Sequence, residues 1–259
     1  MLVVGATLLQ AQSITVHQTC GQNGQVVKAI PDAIDLGLSV KWANMNVGAI
    51  TPEDYGNYYA WGETRTKATY DWSTYFDTND GGNTFTKYNN EGGKTILAPE
   101  DDAAHVNWGG SWRMPTQVEW QELIDNCTWT WTTQNGIAGY KVTSNKAGYT
   151  DKFIFFPASG DRAGTGLSNF CSGGYYWSSS LSERYSYLAW YLGFGSVSHD
   201  LDYDIYRYYG LSVRPVLEGV PAGISNTAVE SEITKILRNG EVLILRDGKT
   251  YTVQGQEVK

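Results

Sequence analysis

The sequence predicts an α+β domain: one main helix at about 116–126, a mainly antiparallel sheet beside it, and long loops. Three observations carry that expectation. A single complete helix-start signal stands at Thr116-Gln-Val-Glu119. Short β-prone apolar runs are separated by Gly, Asn and Asp turn signals. Finally, 29 glycines in 259 residues mark a chain with many turns and long connections. That length supports one core of roughly 150–200 residues with appendages.

Residues 1–12 are apolar and match the central region of an export signal without its basic start, which predicts export, with cleavage near Ala11. A buried first strand is the alternative. Residues 13–33 form a polar extension without a period. Ile34 to Trp42 then alternates as a strand, Thr51-Pro-Glu-Asp54 is a turn or helix start, and Tyr58 to Glu63 is a second short strand. Residues 64–97 are rich in Thr, Asn, Gly and Asp and predict an irregular surface connection.

Pro99 to His105 is long enough for one or two helical turns. The main helix follows Trp112-Arg-Met-Pro-Thr116, because a Thr hydroxyl can cap the amide of Glu119 while that carboxylate reaches back. Val118, Trp120, Leu123 and Ile124 supply its apolar face, and the helix should pack on the sheet. Strands are expected at Cys127 to Trp131, Gly139 to Thr143 and Lys152 to Pro157, the last apolar on both faces and therefore central. Arg162 to Gly174 is a Gly-rich loop.

The domain spans 34–217, and 218–231 is a linker. In the tail, 232–259, Asn239-Gly240 and Asp247-Gly248 sit between β-prone runs, the strongest local hairpin signal. A three-stranded meander follows: Ile233 to Arg238, Glu241 to Arg246 and Lys249 to Gln254. It has too little apolar surface to form much core alone.

The stretch Tyr175 to Leu217 holds nine of the 18 tyrosines. Its aromatics are interleaved with Ser, Asp, Gly and Arg, and the aliphatic partners of a core strand are few. Tyrosine gives large, rigid contact area at low entropic cost, so the stretch reads as a recognition surface, with a buried aromatic core as the alternative. Leu188 to Leu192 and Phe194 are its strand-like islands.

A formal charge of −8 argues against nucleic acid, whose binding rests on Lys and Arg neutralising phosphates. No apolar run approaches the ~20 residues that span a bilayer, so an integral membrane protein is not expected. Cys20, Cys127 and Cys171 allow at most one disulfide and match no metal spacing. His17, His105 and His199 show no ligand spacing, and no G-x-S-x-G elbow, H-E-x-x-H helix or phosphate loop occurs. The chain is therefore read as non-catalytic. Asp200-Leu-Asp-Tyr-Asp204 opens like a calcium loop, yet Ile205 replaces its glycine and Leu211 its closing glutamate. No cofactor is expected; a structural calcium ion has no motif behind it.

Several motifs in one order, Asp35 to Ala43, Tyr59-Ala-Trp-Gly-Glu63, Trp108 to Thr116 with Glu119-Trp120, Tyr176-Trp-Ser-Ser-Ser180 and Gly210 to Val216, resemble a known family. These are the C-type-lectin-like domains of the Fibrobacter major paralogous type, related to formylglycine-generating enzymes. The resemblance covers roughly 34–217 and implies a C-type-lectin-like fold. The cysteines that serve the enzymes are missing from Tyr175 to Ser180, so their catalysis is not implied.

Many such domains are similar to the variable proteins of diversity-generating retroelements, whose randomised positions lie between the strands matched here by Trp177-Ser-Ser-Ser180 and Val213-Arg-Pro-Val216. Randomised Asn codons cannot yield Lys, Gln, Glu, Met or Trp, and 182–209 holds only Glu183 and Trp190 of these. The resemblance implies a ligand surface of Ser182, Arg184, Tyr185, Tyr187, Tyr191, Gly193, Gly195, His199, Asp202, Tyr203, Asp204, Tyr206, Tyr208 and Tyr209. Trp177, Trp190, Leu192, Phe194 and Arg214 belong to the scaffold. The implied partner is a protein or glycan on another cell, phage or host surface; a carbohydrate-binding or carbohydrate-active protein using the same aromatics is the alternative. The tail resembles Bacteroidota secretion sorting tails, with a structural hairpin as the other reading, and localisation is expected at the cell surface or in the medium.

Overall fold

The computed structural model describes residues 31–218, 234–238, 241–246, 249–252 and 257–258. The export-like segment 1–12, the extension up to residue 30 with Cys20, the linker beyond Glu218 and both tail turns lie outside the described residues. The chain divides into two units, Met1–Gly219 and Val220–Lys259.

In the first unit, β1 (Ala33–Ile34), β2 (Val40–Ala43) and β3 (Tyr58–Tyr59) precede short 3-10 turns at Trp72–Thr74 and Pro99–Asp101. Helices α1 (Ala103–Trp108) and α2 (Gln117–Asn126) follow. Next come β4 (Cys127–Gln134), β5 (Ile137–Ser144), β6 (Phe153–Pro157), β7 (Asp161–Ala163) and β8 (Gly166–Ser168). The aromatic stretch builds β9 (Gly173–Leu181), β10 (Leu188–Gly195), β11 (Ser198–Tyr206), β12 (Leu211–Ser212) and β13 (Val216–Glu218).

These strands form several small sheets, ordered β1-β2-β13, β11-β10-β9-β12-β3, β4-β5-β6 and β7-β8. The expected α+β class, and with it the C-type-lectin-like fold, is overturned: the chain is mostly β, 38% strand against 12% helical, in several small, mainly antiparallel sheets. The capping box marks the helix plainly in the sequence, but a plain signal is not a large share of the architecture. Among the described residues α2 alone exceeds two turns, and only Trp120 and Leu123 are buried along it. It is a single cover on a β protein.

The capping box is formed as expected: Thr116 Oγ1 accepts from Glu119 N–H at 3.3 Å, and Glu119 Oε2 accepts from Thr116 N–H at 2.8 Å. Arg113 clamps the same carboxylate with Nη1 at 2.8 Å and Nη2 at 2.6 Å. Replacing Thr116 by Ala is expected to cost about 1 kcal/mol in urea unfolding.

Three finer expectations change. Ile34 to Trp42 is two strands, because Gly37 turns the backbone at φ 73 while its N–H donates to Asp35 Oδ1 at 2.9 Å. The Arg162–Gly174 loop begins as the β7–β8 hairpin. And β6 is an edge strand, its order position being last beside β5. Its apolar faces are covered by packing: Ile154, Phe155 and Phe156 are at most 2% exposed. Arg214 Nη2 donates to Phe155 O at 2.8 Å and Tyr176 Oη to Pro157 O at 2.7 Å, which occupies carbonyls of that strand.

The main core gathers Trp42, Trp120, Leu123, Val142, Phe156, Tyr176, Leu192 and Phe194. A second cluster holds Tyr59, Trp61, Tyr88, Met114, Trp177, Leu181 and Val213. A third, built on Tyr58, Tyr70 and Tyr75, has Trp72, Phe85 and Tyr208 packed against it. All five residues assigned to the scaffold are buried: Trp177, Leu192 and Arg214 fully, Phe194 at 4% and Trp190 at 7% exposure.

In the second unit, β14 (Thr234–Arg238), β15 (Glu241–Arg246) and β16 (Lys249–Thr252) are the expected antiparallel meander, with Arg238 opposite Glu241 and Arg246 opposite Lys249. A fourth strand, β17 (Glu257–Val258), pairs with β16.

Candidate functional site

The stretch expected to be a recognition surface with strand-like islands at Leu188–Leu192 and Phe194 is mostly strand. Asp200-Leu-Asp-Tyr-Asp-Ile-Tyr206 alternates with a period of two, and β11 pairs with β10 over Leu188↔Tyr206, Trp190↔Asp204 and Tyr191↔Tyr203. At the C-terminal end of β11 the alternation continues past the ladder. Arg207 N–H donates to Tyr187 O at 3.1 Å, and Trp61 N–H donates to Arg207 O at 2.9 Å. With its backbone held on both sides, Arg207 turns inward and is fully buried, while Tyr206 stays 43% exposed.

Around that anchor the rings form one connected group. Tyr185 stacks on Tyr187 at 5.1 Å and 13°, and Tyr187 meets Tyr206 at 5.8 Å. Tyr206 stacks on Tyr208 at 5.5 Å and 10°, and Tyr209 contacts both. Trp72, from the long connection before α1, closes the group with its ring 4.8 Å from Tyr208 and 6.0 Å from Tyr206. Tyr185 is 54% exposed, so the array is open to solvent at Tyr185 and Tyr206 and packed at Tyr208. Burial first, then the neighbouring Tyr209, pushes the Tyr208 hydroxyl up to about 12, and burial likewise raises Tyr187. Both stay neutral hydrogen-bonding groups at physiological pH.

Beneath the array, Arg207 Nη2 contacts Asp77 Oδ2 at 2.8 Å, with both side chains at most 2% exposed. Its Nε donates to Tyr75 Oη and its Nη1 to the carbonyls of Tyr88 and Ser186, each at 2.9 Å. The guanidinium also lies over the rings of Phe85 at 4.4 Å and Trp61 at 4.8 Å. Asp77 in turn accepts from the N–H groups of Thr86, Lys87 and Tyr88. Burial would push its carboxyl up, but Arg207 and these amides hold it below the usual range. One ion pair thus ties β11 to the loop that supplies Trp72.

The other expected surface residues are scattered. Ser182 is fully buried and its hydroxyl is spent on Asp204 Oδ2 at 2.5 Å, so it is not on the surface. Arg184 is exposed with its guanidinium 5.8 Å from the Trp190 ring. Tyr191 and Gly193 lie on the β10 face beside Tyr175, with Tyr175 and Tyr191 rings 5.9 Å apart. Gly195 sits where β10 turns into β11, opposite Ser198. His199 is away from the array, stacked on Trp129 at 4.6 Å and 13°; burial lowers its pKa. Asp202 and Tyr203 lie in β11, Tyr203 opposite Tyr191.

Sequence reasoning missed Trp72, Asp77 and Arg207. A lone Arg inside Tyr206-Arg-Tyr-Tyr209 was the available signal, since an inward position between outward tyrosines demands a counter-charge. Among the described residues, no group of three or more His, Cys, Asp or Glu is placed to hold a metal, and no helix is long and apolar enough to cross a membrane. No family model, curated protein or solved structure matches this chain.

Proposed function

We propose that this is an exported, non-catalytic binding protein that contacts its ligand with the tyrosine array at the end of β11. The single observation that carries the reading is that Tyr185, Tyr187, Tyr206, Tyr208, Tyr209 and Trp72 form one ring-to-ring surface on a buried ion pair. Rigid aromatic contact area on a fixed base is what a binding surface needs, because little side-chain entropy is lost on association. Asp204 and Arg184 stand near it and add charge selectivity.

Diversification of 182–209 is part of the same proposal. Glu183 and Trp190, the two residues that Asn-codon randomisation cannot yield, are bonded to each other, Trp190 Nε1 donating to Glu183 Oε2 at 2.8 Å. Such a pair suits a fixed support between positions that change.

The test is a binding screen of the full chain against arrayed cell-surface proteins and glycans, repeated with Tyr185→Ser/Tyr206→Ser. Both rings are about half exposed. The expected result is a loss of at least about 2 kcal/mol of binding, roughly thirtyfold, with unfolding stability within about 1 kcal/mol of the parent. A stability loss above about 3 kcal/mol would assign these rings to the core and remove the proposal.

A further inference from the structure

We infer that the outer edge of β11 receives an extended, basic polypeptide segment by strand addition, alongside the tyrosine array. This rests on the binding-surface reading above and specifies its partner. Strand β11 is nine residues long and ends the order β11-β10-β9-β12-β3; among the described residues it pairs with β10 alone. An edge presents a row of backbone donors and acceptors, and an added strand gains affinity from them and specificity from its alternate side chains.

Protected edges carry Pro or Lys, or are very short. Ser198–Tyr206 has neither residue and is not short. The pairing shift opposite Tyr191 and Gly193 divides the edge into Ser198 to Asp200 and Tyr203 to Tyr206, and the second part runs directly into the array. A partner strand laid there continues onto the exposed rings of Tyr206 and Tyr185.

Charge selects the occupant. From Leu188 to Tyr206 there is no Lys or Arg, while β11 carries Asp200, Asp202 and Asp204, and the chain has a net charge of −8. Two copies paired edge to edge would set aspartates near aspartates, which destabilises cross-strand neighbours. Lys or Arg on the incoming strand gains from the Asp200 and Asp204 carboxylates, and its cationic heads also suit tyrosine faces.

The probes are a synthetic peptide alternating Lys and Thr, matched to the nine residues of β11, its Glu–Thr counterpart, and two N-methylated Lys–Thr forms, each blocking the amides of one peptide edge. Binding to the full chain is measured by fluorescence anisotropy. The Lys–Thr peptide is expected to bind, with the Glu–Thr peptide and Asp200→Asn/Asp204→Asn each weakening binding on the order of tenfold. One methylated form should lose binding and the other keep it. Equal binding of both methylated forms overturns strand addition but leaves the tyrosine surface standing. Equal binding of Glu–Thr and Lys–Thr, or no binding of any probe, also overturns the inference, and the ligand screen then judges the tyrosine surface on its own. A concentration-dependent dimer in sedimentation that the peptide does not dissociate overturns it too, giving the edge to a second copy. Retained, edge-specific binding by Tyr185→Ser/Tyr206→Ser upholds the inference and removes the tyrosine reading.

Discussion

Arg207→Ala is expected to destabilise the protein by about 3–5 kcal/mol at neutral pH, the range for removing one partner of a buried ion pair. Asp77 would remain in the interior with its cation gone, and the carbonyls of Tyr88 and Ser186 would lose their donor. The space between Trp61, Tyr75 and Phe85 would also open. Arg207→Lys should rescue little, because a single ammonium cannot reach Tyr75 Oη, two carbonyls and Asp77 at once as the planar fork does. Acid dependence tests the cause. Asp77 is depressed in the native protein, so its contribution is present above the unfolded carboxyl value near 3.9 and fades as pH falls through the lower folded value. Without Arg207 the folded Asp77 titrates higher, so the gap between variant and parent should shrink on acidification. Urea unfolding at neutral and acidic pH measures this; a gap under about 1 kcal/mol at neutral pH, or one independent of pH, would show the pair to be unimportant.

The same variant should weaken ligand binding at temperatures where it is folded, because Tyr206 and Tyr208 flank the lost anchor. That coupling was only half legible in the sequence. Local rules read well: Thr116 and Glu119 are three residues apart and bond each other, and the Asn-Gly and Asp-Gly signals separate the strands of the second unit as expected. The aromatic stretch is visible as composition, and the Asp-apolar alternation of Asp200 to Tyr206 is the strand signal within it that the expected surface leaves unused. Arg207 finds Asp77 across 130 residues, and no local pattern announces such a pairing. The same limit explains the fold class. Strand β12 inserts between β9 and β3 and runs parallel to β9, a long-range arrangement that short motifs do not encode. The helix is the most locally determined element, so its signal in the sequence is stronger than its small buried face of Trp120 and Leu123.

Trp120→Ala should cost about 3–5 kcal/mol as well, by a different route. Trp120 is fully buried, its ring centroid 4.6 Å from Trp42, 5.6 Å from Phe156 and 6.2 Å from Tyr176. Truncation leaves a cavity where α2 meets the β-sheets, because close-packed neighbours relax only partly. It also removes the indole N–H that donates to Trp177 O at 3.3 Å. Trp120→Phe retains most of the ring volume and leaves mainly that carbonyl unpaired, so its cost should lie near the 1–3 kcal/mol of a lost buried partner. The two large variants then separate stability from recognition. Trp120 belongs to the main core, whereas the array rests on Arg207 and the cluster around Tyr75. Below its lowered melting point, Trp120→Ala should therefore bind ligand with affinity close to the parent, while Arg207→Ala should not. Equal loss of affinity in both would mean that the array has no support of its own and depends on the core as a whole.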